Sequence, residues 1–368
     1  MRIIISGHTG FVGGHLLRNL NLHHPNHKLI LLKKEDFLSQ NFNDKIQKKD
    51  FLFHLAGVNR TDTDEEVFKA NNEINSSLLN HLENINFKGN LYFSSSLQEK
   101  LNSLYGKAKK KAREDFERLS KKIGFNFYSS LTPNVFGAFC KPFYNSFIAT
   151  FSYQLLNKQS PKIITNNTVK LIYIDDYISS LLELLGRRVE VISFDFLKEI
   201  QVSEVLEKLK LFYKQYIQEN KIPNLESKFD KDLFNTFRSY IKHKEFFPKQ
   251  YQIHSDSRGS FFELSKSLST GQSSYSTSNI GIVRGNHFHT RKFERFSVIK
   301  GKAKIELRKY LTDEIISFEL DGNSPSYVDM PIWYTHNITN VGDEELLTFF
   351  WINEPYDQND PDTYPEIV

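Results

Sequence analysis

The chain has 368 residues, enough for about two domains at roughly 150 residues each. Apolar residues make up 39% and charged ones 25%, ordinary for a soluble globular protein, and a formal charge of +4 with dispersed basic residues excludes nucleic-acid binding as the main activity. One cysteine, Cys140, excludes an internal disulfide framework, and no stretch approaches the ~18 apolar residues of a membrane span, so the cytoplasm is the expected location.

Ile3, Ile4 and Ile5 form a β-branched run too short for a secretory signal and predict a first strand over Arg2–Ser6. A glycine-rich turn follows, then a helical apolar pattern on Phe11, Val12, Leu16, Leu17 and Leu20. Further strands are predicted at Lys28–Leu32, 50–55, 91–95 and 125–131, with a long helix over 106–122. Strand–helix alternation of this kind predicts a Rossmann-like, doubly wound parallel sheet. Val202, Val205, Leu206, Leu209, Phe212, Tyr213 and Tyr216 repeat at helical spacing, as do Leu233, Phe234, Phe237, Tyr240 and Ile241. Near Phe247-Pro248 the pattern changes to short alternating runs at 260–264, 293–299, 303–308, 315–320 and Leu346–Ile352, which predict an all-β barrel. The boundary is therefore placed at 247, giving domains 1–247 and 248–368.

Gly7, Gly10 and Gly13 directly follow the first strand. Such a turn lets the backbone approach a pyrophosphate, at which the N–H groups opening the next helix then point. Lys33 and Lys34 follow the second strand, where an NAD enzyme usually carries an acid; cations there suit the 2′-phosphate of NADP, with Asp36 close by as the opposing sign. Tyr105 and Lys109, four residues apart, share a helix face. A nearby ammonium lowers a phenol's pKa from about 10, so Tyr105 is expected to exchange a proton with a carbonyl oxygen as hydride arrives, and Ser96 to hydrogen-bond the same oxygen. The rest of the basic run at 107–111, with Arg113, reads as a solvated helix face, and Cys140 as a small buried side chain.

Taken together, Gly7-His8-Thr9-Gly10-Phe11-Val12-Gly13, His54-Leu55-Ala56-Gly57, Ser94-Ser95-Ser96 and Tyr105-x-x-x-Lys109 resemble the extended short-chain dehydrogenases/reductases. Asn71 matches that family's structural asparagine, Ile174-Asp175-Asp176 its late Val-Asp-Asp motif, and Pro133-Asn134-Val135-Phe136-Gly137 the segment beside the nucleotide sugar. The resemblance covers about residues 1–245 and implies that Gly7, Gly10, Phe11, Val12, Gly13, Lys33, Leu55, Ala56, Gly57 and Lys109 bind NADPH. One departure stands out: Leu131-Thr132 precede Pro133, where the family usually has arginine.

In the second half, Gly281, His287, His289, Glu294 and Gly301 fit Gly-x5-His-x-His-x4-Glu-x6-Gly, and Pro331, His336 and Asn340 fit Pro-x-Gly-x2-His-x3-Asn except that Trp333 replaces the glycine. His287 and His289 alternate on one strand face, within reach of Glu294. Three imidazoles and a carboxylate suit Zn, Fe, Ni or Mn, with zinc the expected ion, rather than Ca. The pattern resembles the two cupin motifs over about 250–355. A second resemblance overlaps it: Asp256-x-Arg258-Gly259 and Arg284-Gly285-Asn286-His287 are similar to signatures of the 4-keto-rhamnose 3,5-epimerase type, in which the histidine is the proton-abstracting base. His287 is thus a ligand in one resemblance and a base in the other.

A reductase fused to a metal cupin is similar to a family of bifunctional capsular-polysaccharide enzymes, with 58–60, 139–142, 144–151, 334–338 and 361–364 as particular points of likeness. That resemblance implies a homodimer acting on a UDP-linked 4-keto-6-deoxy-HexNAc. The cupin would invert C3 of a UDP-2-acetamido-2,6-dideoxy-L-4-hexulose. The reductase would then reduce C4 with NADPH to UDP-2-acetamido-2,6-dideoxy-L-talose, a precursor of N-acetyl-L-fucosamine. Asn134, Lys141 and Asn145 are the expected sugar-nucleotide contacts. The alternative reading is a reductase whose cupin only dimerises.

Overall fold

The computed structural model describes residues 1–39, 42, 45–186, 192, 194, 197–257, 259–262 and 264–368. The isoleucines of β1 (Arg2–Ser6) are wholly buried because that strand is flanked on both sides. The chain continues through α1 (Phe11–His23), β2 (Lys28–Leu32), α2 (Lys34–Leu38), β3 (Phe51–His54), α3 (Asp64–Asn84), β4 (Asn90–Ser96), α4 (Leu104–Ile123) and β5 (Asn126–Thr132). The strands order as β2-β1-β3-β4-β5, every pair parallel. Parallel neighbours need crossovers, which the intervening helices supply. Leu78 and Leu82 of α3, with Phe116 and Leu119 of α4, close a core over Ile4, Leu52, Leu91 and Phe93. A short sheet of β6 (Asn134–Phe136), β7 (Thr168–Tyr173) and β8 (Lys198–Gln201) extends this unit, with α5 (Phe147–Leu156) before β7 and α6 (Ile174–Leu182), which meets α1, after it. The doubly wound α/β expectation is met.

The remaining elements are α7 (Val202–Phe212), running into a π-helical turn at Tyr213–Gln218, then β9 (Lys221–Ile222), α8 (Lys228–Arg238) and α9 (His243–Phe246). Strands follow: β10 (Lys249–Gln250), β11 (His254–Asp256), β12 (Gly259–Phe261), β13 (Lys266–Ser267), β14 (Gln272–Ser278), β15 (Val283–Phe288), β16 (Glu294–Lys300), β17 (Lys302–Lys309), β18 (Ile315–Asp321), β19 (Ser326–Met330), β20 (Tyr334–Asn340), β21 (Leu346–Ile352) and β22 (Tyr364–Pro365). They form two antiparallel five-stranded sheets, β10-β19-β16-β21-β14 and β18-β17-β20-β15-β22, the all-β architecture expected of a cupin.

By chain contacts the protein divides into one unit of Met1–Thr150 with Ile164–Val202 and another of Phe151–Ile163 with Ser203–Val368. This differs from a boundary at 247, because the helices before that point pack on the β-sheets. Phe234 meets Phe293 edge-on at 5.6 Å, Arg238 sits 4.1 Å over the Phe293 ring, and Asn235 Nδ2 donates to Arg291 O at 2.9 Å. Beneath them the Tyr216 hydroxyl donates to Asp329, which also holds the fully buried Arg295 at 2.8 Å.

Candidate active and metal sites

The glycine turn is a close-packed junction. Gly7 has φ +72°, and a Cβ there would stand 2.8 Å from Ala56 N; one on Gly13 would stand 2.2 Å from Gly7 O. The first helical bond of α1 is Gly14 N to Gly10 O at 2.8 Å, so the N–H groups of Phe11, Val12 and Gly13 have no helical acceptor. A buried chain steadies the facing segment. Ser6 Oγ accepts from Leu55 N and Ala56 N, both at 3.1 Å, and donates to His54 Nδ1 at 2.7 Å, while His54 Nε2 donates to Asn75 Oδ1 at 2.9 Å. Burial pushes His54 down to about 4, so it is neutral. Asn71 clamps Val58 through both its N–H (3.1 Å) and its carbonyl (2.7 Å), which sets Gly57 against Lys109.

Lys33 and Lys34 are exposed at the start of α2. The Asp36 carboxylate is engaged within the protein, accepting from Lys33 N at 2.8 Å and Lys45 Nζ at 2.6 Å. Partial burial alone would raise its pKa, but these two partners hold it below the usual range.

Ser103 caps α4, and Tyr105 and Lys109 occupy one face of its first turns. Gly106 is what lets α4 start here, since a Cβ would lie 2.1 Å from Gln98 O. Lys109 Nζ is buried, donates to Ser94 O at 3.0 Å, and lies 5.8 Å from the centre of the Tyr105 ring. Desolvation pushes Lys109 down to about 8, with Glu99 opposing. The Tyr105 phenol is raised, not lowered: burial dominates, Tyr144 and Tyr177 add to it, and the ammonium lies over the ring and bonds elsewhere. Ser96 ends β4, where its Oγ accepts from Gln98 N at 3.2 Å.

Asn134 opens β6 and is exposed, as are Lys141 and Asn145. Lys141 Nζ lies 5.7 Å from the Tyr144 ring, whose hydroxyl accepts from Asn59 N at 3.4 Å, and Arg60 Nη1 donates to Phe143 O at 3.1 Å. The loop carrying Lys141 and Asn145 is thus tied to residues 58–60, the two stretches singled out in the sequence. Phe139 (φ +70°) and Phe143 (φ +57°) hold left-handed conformations that bulky residues rarely adopt. Cys140 between them is buried, and its thiol is pushed up to about 11. At the missing arginine, Thr132 Oγ1 instead bonds the Tyr177 hydroxyl at 3.1 Å. It belongs to a buried hydroxyl cluster with Tyr92, Ser94 and Ser130 that sequence reasoning did not find.

In the second unit β15 carries His287, His289 follows its end, Glu294 opens β16 and β20 carries His336. His287 and His336 are register partners, brought opposite by a bulge at Asn286 (φ +57°). All four candidate ligand atoms lie within 4.8 Å of one another. His289 Nδ1 donates to Asp362 O and His336 Nδ1 to Tyr334 O at 3.1 Å, which leaves both Nε2 atoms as lone-pair donors. Yet both face Glu294 Oε2, at 3.5 and 3.2 Å, and the buried His289 Nε2 makes no hydrogen bond. Acceptors converging on one point call for a cation between them, so the residues fit a divalent metal. Burial, His336 and His289 push His287 down to about 4. Burial would raise Glu294, but protons on the facing His289 and His336 hold it well below the carboxylate range, and a metal between them would take the place of those protons.

Trp333 has φ +61°, the conformation a glycine would take without strain at that motif position. Its indole stacks on Phe288 (5.7 Å) and Tyr310 (5.9 Å) and is buried within an aromatic layer. Arg284 is engaged with Ser278 Oγ at 2.9 Å, and Arg258 lies outside the described residues.

The glycine turn on a parallel sheet and the Tyr–Lys helix define a nicotinamide-dependent sugar-modifying class. The chain belongs to the NAD dependent epimerase/dehydratase family, which residues 3–193 match, and residues 254–364 match the Polysaccharide biosynthesis C-terminal domain. It is 32% identical to the UDP-2-acetamido-2,6-beta-L-arabino-hexul-4-ose reductase of Pseudomonas aeruginosa, over 99% of this chain and 98% of that protein. The crystal structure of the capsular polysaccharide assembling protein CapF from Staphylococcus aureus is similar over the whole of both chains, at 33% identity and TM-score 0.64. A UDP-N-acetylglucosamine 4-epimerase from Methanobrevibacter ruminantium shares the fold over 65% of this chain and 97% of its own, at 20% identity and TM-score 0.53.

Proposed function

We propose that this chain is a bifunctional sugar-nucleotide enzyme that epimerises and then reduces a UDP-linked 4-keto-6-deoxy-HexNAc. The observation that carries the reading is the pairing, in one chain, of the Tyr105–Lys109 face beside a pyrophosphate turn with a four-residue metal set. The full-length likeness to a hexul-4-ose reductase supports the substrate class.

When bound, NADPH supplies the hydride that reduces C4. Tyr105 donates its proton to the C4 oxygen; burial keeps the phenol in its protonated form until hydride transfer makes that oxygen strongly basic. Ser96 orients that oxygen, and Lys109 holds the cofactor's ribose side of the site through a position fixed by Ser94 and Gly57. Exposed Lys33 and Lys34 favour NADPH over NADH, because Asp36 is committed to Lys45 and the α2 cap. Lys141, Asn145 and Asn134 are assigned to the nucleotide sugar.

His287, His289, Glu294 and His336 are assigned to one divalent metal, zinc by donor type. A cation there supplies Lewis-acid polarisation of the ketone, which makes the neighbouring C3–H acidic. Reduction removes that ketone, so C3 inversion precedes it, and the product is UDP-2-acetamido-2,6-dideoxy-L-talose, on the way to N-acetyl-L-fucosamine for a surface polysaccharide. The enzyme is assigned to the cytoplasm, in keeping with the absence of any membrane-length apolar helix among the described residues. A homodimer is proposed, supported by the exposed Ile280, Ile282, Val283 and Val341 on the second unit.

Incubation of the keto-sugar nucleotide in D2O, with and without NADPH, tests this. Deuterium at C3 without NADPH, retained in Tyr105→Phe while NADPH oxidation is lost, is the expected result. NADPH consumption with no C3 exchange would replace it with a reductase whose cupin only dimerises.

A further inference from the structure

The Pro361-Asp362-Thr363-Tyr364 stretch supplies no candidate ligand, yet it grips the metal-site loop at every residue from 288 to 292. Asp362 Oδ1 accepts from Thr290 N at 3.0 Å and Thr290 Oγ1 at 2.7 Å. Its Oδ2 accepts from Arg291 N at 3.0 Å and Lys292 N at 2.9 Å. Three successive backbone N–H groups therefore converge on one carboxylate, the cradle that such a run of amides forms for an anion. The carbonyl of the same residue accepts from His289 Nδ1. Around this centre Lys292 Nζ donates to Pro361 O at 3.0 Å, Tyr364 stacks on Phe288 at 5.4 Å, and β22 pairs Pro365 with His287 and Tyr364 with Phe288. Asp362 is 2% exposed and has φ +42°, a strained conformation for a residue with a side chain.

A carbonyl oxygen can only accept, so its bond to His289 fixes the proton on Nδ1 and turns the Nε2 lone pair toward Glu294. The carboxylate holds that carbonyl in place by fastening Asp362 to the backbone immediately after His289. We infer that Asp362 is a positioning residue for the metal site: one side chain links residues 361–365 to the loop and sets the tautomer and aim of His289. The inference rests on the reading of His287, His289, Glu294 and His336 as ligands. Outer partners of metal-bound histidines typically contribute 10- to 100-fold in affinity.

The test uses the full chain, stripped of metal and titrated with Co2+ by visible absorption, with the His289 tautomer read from 15N shifts in the metal-free protein at alkaline pH, where the imidazole is neutral. Asp362→Asn leaves backbone donors facing an amide and is expected to weaken Co2+ binding at least ~10-fold and to populate the second tautomer. Thr290→Val removes a single donor to the same carboxylate, keeps the backbone, and is expected to weaken binding about 3-fold. Asp360→Asn, which breaks only the exposed pair with Arg291 (3.0 Å), is expected to leave affinity unchanged. If Asp362→Asn does not fold, Thr290→Val decides. Wild-type affinity and tautomer in the folded variants would overturn the role of Asp362, whereas wild-type protein that takes up no Co2+ would overturn the metal site itself.

Discussion

Lys109 is required for reduction in this reading, and its burial makes it a burden on the fold. The substitution Lys109→Met removes the ammonium and keeps the length of the side chain. A drop from the ordinary 10.5 to about 8 is worth about 3 kcal/mol at neutral pH. Loss of the hydrogen bond to Ser94 O returns about 1 kcal/mol, so the variant is expected to be about 2 kcal/mol more stable at pH 7. The direction with pH follows from proton counting. Below pH 8 Lys109 is protonated folded and unfolded, and the whole desolvation penalty is present. Between pH 8 and 10.5 the unfolded chain holds more protons, so wild-type stability rises with pH, and above 10.5 the penalty is gone. By pH 10 less than about 1 kcal/mol remains, and the gap between variant and wild type closes. Urea unfolding followed by helical circular dichroism at pH 7 and pH 10 measures this, with a midpoint shift of about 1 M expected at pH 7. A variant no more stable than wild type at pH 7, or an advantage undiminished at pH 10, would refute the reasoning.

Four further outcomes are expected. Gly13→Ala places a methyl 2.2 Å from Gly7 O, a backbone atom that cannot yield, and NADPH affinity measured by calorimetry should fall at least ~10-fold. Asp329→Leu strands the buried Arg295 and should cost about 3–5 kcal/mol in urea, much of it recovered in the double variant with Arg295→Met; a cost under about 1 kcal/mol would count against the buried pair. Chelation of the divalent metal should abolish C3 deuterium exchange while NADPH binding, followed by fluorescence, is retained. Cys140, buried with its thiol pushed up to about 11, should resist Ellman's reagent at pH 7.5 in the native protein and react promptly in urea.

What could be read from sequence followed the distribution of apolar side chains. β1 and β2 were legible to the residue because Ile3–Ile5, wholly buried in the middle of a parallel sheet, and Leu29–Leu32, half-buried on its flank up to the buried Leu32, are unbroken apolar runs. The predicted helix over 106–122 began two residues late, since Ser103 acts as a cap only once Gly106 is seen against Gln98. β14, with Ser273, Ser274, Ser276 and Ser278 paired along β21, has no apolar alternation, and β20 carries His336 and Asn340 inward. Neither signals a strand by hydrophobic period. The four candidate metal ligands were readable because three of them fall in one local His-x-His-x4-Glu pattern. Asp362 lies 73 residues from its partner His289, and no local pattern ties them together. The effect on Tyr105 was misjudged in sign because sequence places an ammonium four residues away but does not reveal how deeply the phenol is buried.

The order of strands in the first sheet has a consequence for how the protein is made. β2 and β3 each add beside β1, β4 adds beside β3, and β5 beside β4. Every strand thus meets a neighbour that has already left the ribosome, and the sheet can accrete as it is translated. The second unit cannot. β16 waits for β19 and β21, and β15 for β20 and then β22 near residue 365. Such long waits slow closure and leave sheet edges open in the interim. A pause in synthesis between residues 250 and 340 is therefore the period in which a nascent chain most needs a chaperone.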